Sequence, residues 1–210
     1  MMMKSKNVKY LFFVIGILIL TLGITFTIRS NFGISPFDAL LVGLSKNVGL
    51  TVGSWEIIIA FILICCNALL KKQRPKFLGL VTAFITGICI DMWLLLLSYL
   101  LIPELWFGKL FCFVIGLIVI GLGTAIYLQT NFAPIPVDRL TLIIQELTKT
   151  SMFFSRTFIY LVFLIMAILF NGPIGIGTLL TVCLGGLILN YFMPITQKAL
   201  DRILATPVEH

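Results

Sequence analysis

Six long apolar runs govern what this 210-residue chain can fold into: approximately Tyr10 to Ile28, Ser54 to Leu70, Phe77 to Leu100, Leu110 to Gln129, Thr157 to Phe170 and Ile174 to Met193. A helix rises about 1.5 Å per residue, so about 20 apolar residues cross a hydrocarbon core about 30 Å thick. The fifth run is short for that purpose. An unpaired backbone amide in hydrocarbon costs several kcal/mol, and runs of this length are too long for barrel strands, so each span has to be a helix. The expected fold is all-α, a polytopic membrane protein with about six transmembrane helices.

Composition agrees. With 60% hydrophobic and only 11% charged residues, the chain is more apolar than a water-soluble core requires. The net charge of +7 does not point to nucleic acid, because the basic residues gather in short segments between apolar runs. With the N-terminus inside, the cytoplasmic segments collect Lys4, Lys6, Lys9, Lys71, Lys72, Arg74, Lys76, Arg139, Lys149, Arg156, Lys198 and Arg202, leaving only Arg29, Lys46 and Lys109 outside. That division follows the positive-inside rule and places both termini in the cytoplasm. The first apolar run resembles a signal peptide, but no small-residue cleavage site follows, and it is read as a retained helix. All five cysteines lie in apolar runs without CxxC spacing and read as small hydrophobes, neither disulfide partners nor metal ligands.

The chain also repeats itself. Phe13, Val14, Ile15, Gly16, Leu22, Gly23, Asn31, Phe32, Pro36, Asp38 and Leu40 each have an identical residue one hundred positions later. Apolar bias alone does not match Asn, Pro and Asp together, so the chain reads as a duplication, with repeat units 1–103 and 104–210. Offset by 99, the match continues through Gly87 with Gly186 and Asp91 with Asn190. Three crossings per unit make the second copy enter from the other side, an inverted repeat of the kind found in transporters and channels.

Between the first and second spans of each unit lie Asn31 to Asp38 and Asn131 to Asp138, which read as helix starts. Proline suits the first helical position, and an acid two residues on complements the positive helix end. Ser35 is placed to cap with Asp38, whereas Ile135 cannot cap. The helices that follow, about Pro36 to Asn47 and Pro136 to Thr148, are too short to span. They either re-enter the membrane, aiming unpaired amides at a common point, or lie along its surface. The apolar face of Leu140, Ile143, Ile144 and Leu147 favours the surface alternative for the second copy.

Among other polar residues, Asp91 lies deep in the third span, where a carboxylate has to face protein or water, and is the best single candidate for a functional residue, the alternative being a helix–helix hydrogen bond. Gly87 and Gly186 precede Asp91 and Asn190 by one turn and permit close helix approach. Glu56 and Arg156 occupy equivalent positions near helix starts and are expected to snorkel to the interface. Arg29 is positioned to neutralise Asp38, to contact an anionic ligand on the outer side, or to act as an interfacial anchor. No interior histidine, Gly-rich phosphate loop, GxSxG or ligand cluster is present in the sequence, so an enzyme is not expected, and no metal or cofactor is implied.

The stretch SPFDALLVGL at 35–44, Thr51-Val52-Gly53, and GLVTAFITGICID at 79–91 resemble the YitT/YczE group of multi-pass membrane proteins, over nearly the whole chain. The second copy departs from the motif at Ile135 and Arg139. The resemblance implies a bacterial cytoplasmic-membrane protein.

The leading functional expectation is a small secondary transporter or permease-like protein. Its pathway is expected to be formed by the Pro36 and Pro136 helix starts with Asn31, Asn131, Ser35, Asp38, Asp138, Asp91, Asn190 and Arg29. The expected partners are the lipid bilayer, a small-molecule or ion substrate, and further copies of the chain in a homo-oligomer. Helix ends favour anions and the aspartates favour cations, so the sequence leaves the substrate open. The alternative is a non-transporting membrane scaffold or accessory subunit.

Overall fold

The computed structural model describes residues 2–100, 103–130, 132 and 134–205. They form eight helices: α1 Met2–Ser30, α2 Pro36–Val48, α3 Val52–Lys71, α4 Leu78–Leu96, α5 Trp106–Leu128, α6 Pro136–Thr148, α7 Met152–Leu169 and α8 Ile176–Ala205. Among the described residues there is no strand. The protein is an all-α polytopic membrane protein. α1, α3, α4, α5 and α8 are long and apolar enough to cross a bilayer, and the apolar part of α7, Phe154–Leu169, is shorter.

The order long, short, long, long occurs twice, and both short helices are 13 residues long. The third span is shorter than the apolar run implied, because the chain turns after Leu96. The last is longer. α8 passes through Pro194 to Ala205 instead of ending at Met193. Proline removes one helical hydrogen bond, but a lone lost bond does not end a helix whose neighbours hold it in place. Thr196 Oγ1 provides such a link, donating to Ala125 O of α5 at 3.4 Å.

The centre of the bundle is the pair α1 and α5. A methyl group built on Gly16 would lie 2.6 Å from the Tyr127 amide nitrogen, and one on Gly23 would lie 2.6 Å from that of Ile120. In return, one on Gly116 would meet Thr27 and one on Gly123 would meet Leu20. As the number rises along α1 it falls along α5, so the two helices run antiparallel. The close contacts come in matched pairs: Gly16 meets Tyr127 as Gly116 meets Thr27, and Gly23 meets Ile120 as Gly123 meets Leu20. Small residues allow this approach, and packing at backbone distance holds helices together in lipid, where the hydrophobic effect does not.

Several threonines inside the bundle are satisfied within their own helix. Thr21, Thr25 and Thr86 each donate to the carbonyl four residues earlier at 2.8–2.9 Å. At the end of α1, Arg29 Nη2 donates to Leu94 O at 2.7 Å, capping the last turn of α4. The equivalent Gln129 Nε2 donates to Met193 O, the residue corresponding to Leu94, at 3.1 Å.

Each short helix packs on the second long helix of the opposite half, α2 on α7 and α6 on α3. Asn47 Nδ2 donates to Phe170 O at 2.6 Å, and Asn67 Nδ2 to Pro136 O at 3.1 Å. In α2 the residues Pro36, Asp38, Ala39, Leu40, Leu41, Val42, Gly43 and Leu44 are all buried. A helix floating at an interface exposes one face, and α2 has none exposed over this stretch. α6 buries Pro136, Val137, Thr141 and Ile143 and exposes Leu147.

Candidate functional site

α2 and α6 both begin with proline, and their first turns converge on one cavity. Ser35 caps α2: its Oγ accepts from the Asp38 amide at 3.1 Å and donates to Asp38 Oδ2 at 2.5 Å. Ile135 precedes α6 and has no side chain to do the same. There the acid finds another partner, since Tyr127 donates its phenol to Asp138 Oδ2 at 2.7 Å.

The cavity has a volume of about 120 Å³, and many of its lining residues occupy equivalent positions in the two sequence repeats. Leu20 and Ile120, Ile24 and Thr124, Asp38 and Asp138, and Glu56 and Arg156 line it in pairs, each separated by one hundred positions. Thr86 and Gly185 add a pair with the offset of 99 that holds for the third long helices.

Three carboxylates and one guanidinium therefore face one partly open, largely apolar space. Arg156 is held by its own helix: Nη2 donates to Tyr160 Oη at 2.9 Å and Nε at 3.2 Å, with the guanidinium 5.2 Å from the ring centroid. Glu56 is only 2% exposed. Among the described residues its carboxylate has no hydrogen bond and no ion pair, and Arg156 does not reach it.

Residues 7–194 match the family model described as "Family of unknown function (DUF6198)". The chain belongs to this family. A relative from Bacillus subtilis, "Uncharacterized protein YyaS", is 61% identical over 90% of this chain and 94% of its own length. "Uncharacterized membrane protein YczE" from the same organism is 33% identical over 97% of this chain and 94% of its own, in agreement with the resemblance read from the motifs. An "Uncharacterized protein" of Haemophilus influenzae is 27% identical over 93% and 87%. No solved structure matches the chain at a significant level.

In this DUF6198 chain the structure brings together only part of the set expected from sequence. Ser35, Asp38 and Asp138 line the cavity, beside the starts at Pro36 and Pro136. Asp91 does not line it: its Oδ1 accepts from the Gly53 amide at 2.9 Å, capping the first turn of α3. Gly87 lies directly below that bond, and a methyl group on it would meet Gly53 O at 2.5 Å. Its counterpart Gly186 meets nothing within 4 Å, and Asn190 is exposed on a neighbouring groove that shares Arg156, Tyr160 and Leu189 with the cavity. Arg29 is engaged with Leu94 O and does not reach Asp38. Asn31 is exposed and ends α1 with φ +50°, a backbone conformation Asn tolerates. Asn131 lies outside the described residues.

Glu56 and Arg156, expected to snorkel to the interface, are the correction. Both line the cavity. α3 and α7 do start from exposed segments, 46–51 and 146–151, but Glu56 and Arg156 lie on the faces of these helices that turn to the cavity, so nearness to a helix start does not by itself place a side chain at the interface. The signal was opposite charge at one repeat position.

Proposed function

We propose that this protein is a small secondary transporter of the bacterial cytoplasmic membrane, built as an inverted 3+3 repeat with both termini in the cytoplasm and its substrate site in the cavity between the halves. The observation that carries the reading is the cavity itself, with Asp38, Glu56, Asp138 and Arg156 gathered where α2 and α6 begin. Ionisable groups in a membrane interior are costly and are retained where they serve a pathway. The antiparallel pairing of α1 with α5 and the paired lining support the inverted repeat. The burial of α2 supports re-entry of the short helices. The reading involves no catalytic chemistry, no cofactor and no nucleic acid.

Alternating access is tested with single cysteines at Thr86 and Thr181, in a background lacking the five native cysteines. Each is labelled with a membrane-impermeant thiol reagent in spheroplasts and in inside-out vesicles. A transporter is expected to show labelling of the cavity from both faces. Absence of labelling from either face would leave the scaffold or accessory-subunit reading in its place.

A further inference from the structure

The cavity wall carries more negative than positive charge. Asp38 from α2, Glu56 from α3 and Asp138 from α6 oppose Arg156 from α7, a net charge of −2 when all four are ionised. The other titratable groups lining it are the phenols Tyr127 of α5 and Tyr160 of α7. α4 contributes Thr86 only, its Asp91 being turned to the Gly53 amide.

The three acids differ in their ties. Asp38 is held by Ser35 and Asp138 by Tyr127, whereas Glu56 is buried, lines the cavity and has no partner among the described residues. A buried carboxylate without a partner either carries a proton or faces a mobile cation. Around it the wall is apolar, with Leu20, Ile24, Phe37, Ile120 and Leu189.

A groove lies beside the cavity, on the far side of Arg156, Tyr160 and Leu189. In the first half α3 closes on α4 through Gly53, Gly87 and Asp91. Among the described residues α7 and α8 show no comparable packing. The gap between them is a groove of about 280 Å³, lined by Val182, Cys183 and Leu187, that shares Arg156, Tyr160 and Leu189 with the cavity.

Building on the transporter reading, we propose that the cavity binds an amphiphilic monovalent organic cation, entering between α7 and α8, with Glu56 as its counter-ion, in exchange for a proton. The exchange balances: the Glu56 O–H bond breaks, the proton leaves to water, and the cation takes its place beside the carboxylate. When the cation departs the carboxylate is protonated again, so the cavity keeps the same total charge. Tyr160 and the apolar wall take the hydrocarbon part of the ligand.

The test uses full-length protein in lipid nanodiscs and benzyltrimethylammonium as probe, with benzenesulfonate as the anionic control. Binding is followed by calorimetry and proton release by a pH indicator in weakly buffered solution. The expected result is saturable binding of the cation with release of about one proton per cation bound. Glu56→Gln, at an unchanged melting temperature, is expected to weaken binding at least about tenfold and abolish proton release. Glu56→Asp keeps a carboxylate and is expected to keep proton release, so it serves if the Gln variant misfolds. The proposal is overturned by cation binding without proton release, by unchanged proton release in a folded Glu56→Gln, or by no cation binding up to about 10 mM. Benzenesulfonate binding that depends on Arg156 would sink the cation assignment and leave the cavity a substrate site. Binding of neither ion, with the cavity cysteines unlabelled, would remove the transport reading as well.

Discussion

The phenol of Tyr127 donates to Asp138 Oδ2 at 2.7 Å, tying the last turn of α5 to the first turn of α6. The first half does this differently: Ser35 binds Asp38, and the position equivalent to Tyr127 is Thr27, which donates to Ile24 O at 2.7 Å. One structural requirement, an oriented acid at each short-helix start, is met by two chemistries. Where Ile135 removes the cap, a tyrosine from the preceding helix supplies the donor.

Tyr127→Phe therefore leaves a carboxylate at the cavity wall without its donor and is expected to lower stability by about 1–3 kcal/mol. Thermal unfolding in detergent or nanodiscs measures this. Asp138→Asn made in the Tyr127→Phe background is expected to cost less than in the wild type, because the pair acts as a unit.

Packing of α1 on α5 predicts a graded response at glycine. Gly16→Ala and Gly123→Ala each place a methyl group against the opposing backbone and are expected to destabilise by about 1–3 kcal/mol. Gly185→Ala, with open space at its Cβ position, is expected to be neutral or slightly stabilising. Reversible unfolding titrations of the three variants check the order.

Arg29→Ala removes a charged donor from Leu94 O and is expected to cost about 1.5–3 kcal/mol, and Gln129→Ala, at the equivalent neutral bond, about 1 kcal/mol. Comparison of melting temperatures decides between this and interfacial anchoring, for which Arg29→Lys would be silent.

Asp91→Asn keeps an oxygen facing the Gly53 amide and is expected to retain folding and any cation-coupled proton release. Asp91→Leu removes the cap and is expected to lower the melting temperature, in keeping with caps worth about 0.5–2 kcal/mol. Loss of proton release in a folded Asp91→Asn would place this carboxylate on the pathway after all.

Reporter fusions after Lys76 and after Lys109 are expected in opposite compartments, the first cytoplasmic. Activity of both reporters on one side would contradict the inverted arrangement.

The apolar runs, the recurrence of Pro36 and Asp38 at Pro136 and Asp138, and the cap at Ser35 that Ile135 cannot repeat were legible because each rests on a short stretch of chain. Hydrophobic length sets how many helices lie in lipid, and proline with a following acid sets where the short ones start. Which polar residues meet was a different matter. Asp91 and Glu56 are both acids in apolar helices, and nothing local distinguishes the one that caps Gly53 from the one that faces the cavity. That is decided by the rotation of each helix about its axis and by its depth, and both follow from packing at Gly16, Gly23, Gly53 and Gly87. The amino-acid order by itself determined a membrane-embedded helical protein made of two similar units. Only the assembled bundle decided that Glu56 and Arg156 face a common cavity, because the position of a side chain across a helix bundle depends on backbone contacts between segments far apart in the chain.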